Sequence, residues 1–159
     1  ANLHNRPERI VPELRELLAD QPADREVLFG YADCGTGGLI DQLVDELPNA
    51  RRLPGAHCYE FFAGAELFAG LHDAEPGTFY LTDFLTRQFD TLVIEGLGLD
   101  RHPELLELYF GNYRRLIYLA QTEDPALQAQ ARAAARRLGL DYEYRFTGLG
   151  ELARFVGTA

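Results

Sequence analysis

The chain has 159 residues, 15 basic and 25 acidic, for a formal charge of −10, and 47% of it is hydrophobic. That is one domain able to bury a core without staples, and the acidic balance disfavours a polyanion partner such as nucleic acid. No apolar run reaches the roughly 20 residues that span a bilayer and no signal-peptide pattern opens the chain, so a cytoplasmic protein is expected, with no membrane partner.

Ile10, Leu14, Leu17 and Leu18 recur at helical spacing within 7–19, and Gln21-Pro22 breaks that helix. Residues 26–32 form a short apolar β-type run, followed by the turn DCGTGG and a helix from Leu39 to Leu47. A brief strand near 51–53 leads through LPGAHCYE into a helix over 59–71, and 77–81 reads as a third strand. Between 82 and 113, Leu85, Phe89, Leu92, Val93 and Leu97 favour a helix over a strand at TLVIEG. The loop GLGLDRHP then precedes a helix in PELLELYFGNY, with Asp100 as its N-cap and Gly111 as its stop. A strand over 114–120 is followed by a helix over 124–139, with Asp124 as N-cap, Pro125 in its first turn and Gly139 at its end. LDYEYRF is a last strand and GELARFV a last helix. Strands alternating with helices predict a single α/β domain over 1–159, a mostly parallel sheet flanked by helices in a doubly wound, Rossmann-like manner.

Missing residue types narrow the chemistry. There is no serine and no lysine, which removes serine nucleophiles, Schiff bases and the P-loop lysine. With no Met, thioether ligation is also excluded.

Cys34 and Cys58 each follow a predicted strand where a helix begins. In a parallel sheet such turns line one edge, so the two thiols are expected to converge there, each facing helix amides that favour thiolate. His57 flanks Cys58, and a sulfur and imidazole set suits zinc, with iron as the alternative. The plainer reading makes both cysteines small buried hydrophobes, which leaves their polar, glycine-rich turns unexplained. Gly35, Thr36, Gly37 and Gly38 form a candidate phosphate cradle, lacking the GxGxxG spacing. His4 precedes the first helix and can enter the same cleft, or belong to a solvated terminus. His72 and His102 read as incidental surface residues. Asp33 and Glu60 are candidate bases, and Arg101 is a candidate carboxylate holder.

The segments LHNRPERI, YADCGTGG, PGAHCYEF, FYLTDF, GLGLDRHPELL, YFGNYRRLIYLAQT and DPAL together resemble domain-of-unknown-function family 1638. The resemblance implies that the motif positions are Cys34, His57, Cys58 and the His4-Asn5 pair. It also implies a link to corrinoid-dependent methyltransferases, hence one-carbon or corrinoid-linked methyl metabolism and corrinoid or methyltransferase proteins as partners. Members of the family begin with a further strand and helix bearing a Cys-Gly pair. A chain starting at Ala1 without Met is therefore expected to lack that segment and a third thiol. Two functions follow as expectations. One is an enzyme whose zinc-type ion, held by Cys34, Cys58 and a histidine, acts on a small-molecule substrate. The other is an accessory module with the same ligands in a closed site.

Overall fold

A computed structural model describes residues 3, 5–22 and 24–157. Its strands are β1 (Val27–Phe29), β2 (Ala50–Arg52), β3 (Thr78–Leu81), β4 (Arg115–Ala120) and β5 (Asp141–Phe146). Every pairing is parallel, and the class is α/β. In place of one continuous sheet, the strands form two ladders, β1-β2 and β3-β4-β5. The contrast is written in the side chains. Leu116 to Ala120 of β4 are fully buried, the mark of a strand covered on both faces. β2 carries Arg51 and Arg52, which pair with Glu26 and Asp41 and leave the strand half-buried and polar.

The helices are α1 (Ile10–Leu18), α2 (Leu39–Asp45), α3 (Cys58–Ala63), α4 (Ala65–Ala74), α5 (Asp83–Arg87), α6 (Leu105–Phe110), α7 (Pro125–Leu138) and α8 (Gly150–Gly157). The helix expected over 59–71 is divided at Gly64, whose φ of 84° no regular helix accommodates. His72 lies within α4 and is exposed there. Asp100 does not cap α6, because turns anchored on the Gly98 carbonyl intervene and the helix begins only at Leu105. The caps of α7 are as expected: the Asp124 carboxylate accepts from the Ala126 amide at 2.8 Å, and Gly139 takes φ 72°.

Leu92 and Val93 are helical and buried, yet Asp90–Glu95 is a π-helical turn. The Gly96 amide donates to the Thr91 carbonyl, whereas the Leu97 amide returns to Val93, so the change of register passes over the Leu92 carbonyl. The Asn5 side-chain amide donates to that carbonyl at 2.9 Å. Asn5→Ala is expected to lower stability by about 1–2 kcal/mol in urea titrations, since it orphans a part-buried acceptor. An unchanged midpoint would show that the carbonyl needs no partner.

The main core joins β3, β4 and β5 to α5, the π turn and α7. A smaller one gathers Ala32, Leu53 and Phe61 with Cys34, Cys58, Leu152 and Phe155, so α8 packs behind the cysteine turns.

Candidate functional site

The two cysteine turns are built by continuing the β1-β2 pairing past the strands. The Leu53 amide donates to the Phe29 carbonyl at 3.2 Å, Asp33 to Gly55 at 3.0 Å and Cys34 to Ala56 at 3.0 Å. This run of bonds brings Cys34 beside the start of α3, where Cys58 is the first helical residue. The backbone amide of Cys58 acts on the Cys34 thiol, and those of Cys58 and Tyr59 on the Cys58 thiol, each favouring the thiolate. Both cysteines are free, and both line one cavity of about 470 Å³, with Tyr31, His57, Tyr59 and Phe84. The expected convergence of the two thiols is present.

Their protonation differs from the expectation. Helix amides do oppose the shift, but burial outweighs them. It pushes the Cys58 thiol up to about 12, with the neighbouring Cys34 adding to the effect. Burial likewise raises Cys34, against the amides of Ala32 and Cys58 and the charge of Arg52. Unliganded, both are neutral thiols near pH 7.

Cys34 has φ 51°, the one positive value at a non-glycine residue among those described. A left-handed backbone at such a residue costs roughly 1 kcal/mol. Gly35, Gly37 and Gly38 share that region and let the chain turn within five residues. The Asp33 carboxylate holds the turn closed: it accepts from the Gly38 amide at 2.7 Å, the Thr36 hydroxyl at 2.8 Å and the Gly37 amide at 3.1 Å. Those bonds, the Gly38 amide foremost, keep its pKa below the usual carboxylate range. The amides that would cradle a phosphate at Gly37 and Gly38 are thus occupied by a carboxylate of the same turn, and of the four residues only Gly35 lines the cavity.

Glu60 does the same service for the second turn, accepting from the Ala56 amide at 3.2 Å. His57 is exposed on the cavity wall, its ring 6.4 Å from that of Tyr59. Arg101 lies in an exposed loop beside Asp100 and is not among the cavity's lining residues. His4 lies outside the described residues. Among those described, no group of three or more His, Cys, Asp or Glu side chains gathers in a metal-binding arrangement, so Cys34, Cys58 and His57 share a cavity without forming a ligand cluster.

Two residues escaped the sequence reading. Arg52 binds the Asp41 carboxylate through two nitrogens and the Leu53 carbonyl at 2.6 Å, clamping α2 to the Cys58 turn. Asp83, at the carboxyl end of β3, is 5% exposed and accepts from the Tyr118 hydroxyl at 2.7 Å, the Gln121 amide at 2.9 Å and the Thr122 hydroxyl at 2.6 Å. Burial works against its charge, but the Thr122, Tyr118 and Gln121 hydrogen bonds prevail and hold its pKa below normal. It fixes the start of α5 and so the position of Phe84 on the cavity wall. The available signal was an acidic residue two positions after an apolar strand, at a strand-to-helix turn like that of Cys34.

No helix among the described residues is long and apolar enough to cross a membrane. No curated protein and no solved structure matches the chain. A family model described as a protein of unknown function (DUF1638) matches residues 1–156, and the chain belongs to that family.

Proposed function

We propose that Cys34 and Cys58 are a two-sulfur site for a soft metal ion of the zinc type, opening on a cavity that takes a small-molecule substrate. The observation that carries this reading is that two cysteines from separate strand-to-helix turns line one cavity and pack in one cluster. The strained backbone at Cys34 supports it, since such strain persists where the surroundings enforce it and gathers at functional sites. Two thiols suit a thiophilic ion; catalytic zinc takes three protein ligands, and His57 on the same cavity wall is the candidate third, which leaves a position for substrate or solvent. Bound there, zinc would supply Lewis-acid activation of a substrate thiol or water. Asp33 and Glu60 act as positioning residues that hold the two turns, and His57 faces the substrate space.

The reaction class is methyl-group chemistry on a small molecule, in one-carbon or corrinoid-linked metabolism, as the family resemblance implies. The accessory-module alternative needs a closed site, and a cavity of about 470 Å³ beside the thiols favours an open one.

The test is zinc titration of the reduced chain. One equivalent is expected to bind, and Cys34→Ala or Cys58→Ala is expected to abolish stoichiometric uptake. Because both thiols start protonated, binding must expel two protons, so apparent affinity should rise about a hundredfold per pH unit between pH 6 and 8. No uptake by carefully reduced protein, or uptake that both alanine variants retain, would refute the reading.

A further inference from the structure

A second cavity, of about 120 Å³, shares Tyr59 with the thiol cavity and is walled by Phe79, Leu81, Leu85, Leu92 and Val93. Tyr59 lines both cavities and directly follows Cys58 on α3. Its ring stacks on Phe68 at 5.9 Å and leans on Tyr80 at 5.4 Å. Asn5 and the Tyr59 hydroxyl are the polar side-chain groups at this inner cavity, and the Asn5 amide already donates to the Leu92 carbonyl.

Its carbon-lined walls suit a hydrocarbon group, since an apolar cavity of about 150 Å³ takes up benzene or xenon. Left empty it is unfavourable, because the lining atoms lose contacts on one side. Two of its walls come from the π-helical turn, a departure from regular helix that widens the backbone locally and recurs at functional sites. The Asn5 hydrogen bond satisfies the Leu92 carbonyl that this turn leaves free.

Resting on the reading of Cys34 and Cys58 as a small-molecule site, we propose that the two cavities are chambers of one ligand site with Tyr59 as the divider. The ligand class is a small molecule that carries a compact hydrocarbon group, of phenyl size or smaller, next to the atom that engages the sulfurs. The inner chamber selects that group, and the outer chamber holds the reacting end.

The test uses the reduced full chain and two maleimides, N-methyl and N-phenyl, whose carbon–carbon double bond takes up a cysteine sulfur and its proton. Rates are divided by those measured with glutathione, so that intrinsic reactivity cancels. The phenyl reagent is expected to be favoured about tenfold over the methyl one, the range for a hydrocarbon group entering an apolar pocket. Val93→Phe, which fills the inner chamber, is expected to remove the preference. Tyr59→Ala, which removes the divider, is expected to keep or increase it. If Val93→Phe fails to give a cooperative thermal transition, Leu85→Phe takes its place. A native preference equal to that of glutathione overturns the proposal. So does a preference that survives chamber filling, or one that Tyr59→Ala abolishes, which would assign it to stacking on the tyrosine ring. The reaction needs the thiols but no metal, so its outcome is independent of whether zinc binds.

Discussion

Asp83→Ala is expected to cost the fold about 3 kcal/mol, read as a shift of the urea midpoint. The carboxylate is the shared acceptor for the Tyr118 hydroxyl, the Thr122 hydroxyl and the Gln121 amide, and its loss strands a fully buried tyrosine hydroxyl. Each buried group left without a partner costs about 1–3 kcal/mol. Asp83→Asn keeps an oxygen for Tyr118 and Gln121 and should cost about 1 kcal/mol. The pH dependence has a definite sign. The folded pKa of Asp83 lies below its unfolded value, so its contribution is complete above about pH 4 and declines as pH falls through the folded pKa. Native protein should therefore lose stability on acidification below pH 4 more steeply than Asp83→Asn. Equal slopes, or an alanine variant within 0.5 kcal/mol of native, would remove Asp83 from its place as the organiser of this strand end.

The second large effect is expected at Gly150, the first residue of α8. Its φ of 52° already disfavours a side chain, and a Cβ there would overlap the carbonyl oxygens of Phe61 and Phe62 at the end of α3. Both neighbours are backbone and cannot swing aside. Gly150→Ala should therefore cost about 2–3 kcal/mol, limited by what is lost when α8 simply undocks. Undocking withdraws Leu152 and Phe155 from the cluster that also contains Cys34 and Cys58. Hydrogen exchange should accordingly lose protection over 150–157 first, and alkylation of both cysteines should accelerate at least about tenfold. Retained protection in α8 together with unchanged thiol reactivity would show that α8 is not a wall of the site.

What could be read from the residues alone was local or followed from the handedness of the fold. Asp124, Pro125 and Gly139 bound α7 because each acts within one turn of itself. Cys34 and Cys58 were placed together correctly because strand-to-helix turns of a parallel pair share an edge. The unread part depends on partners remote in sequence. Asp83 meets groups 35 to 39 residues away, and the π turn is completed by Asn5, 87 residues distant. Asp33 and Glu60 were read as bases since a carboxylate beside a cysteine suggests proton transfer. The fold shows that both Asp33 oxygens, and one oxygen of Glu60, accept from the amides of their own turns. Thiol acidity was misjudged for a related reason: sequence displays the helix amides but not the depth of burial that outweighs them.

The rear seal of the cysteine pair comes from residues 150–157, far later in the chain than the turns it covers. On the ribosome, Cys34 and Cys58 thus emerge roughly a hundred residues before their cover does. At usual elongation speeds that interval is about 5–20 s. During it the pair lacks the packing that Leu152 and Phe155 supply in the finished molecule, so the order of synthesis imposes on newborn chains a stage at which the thiols are more exposed.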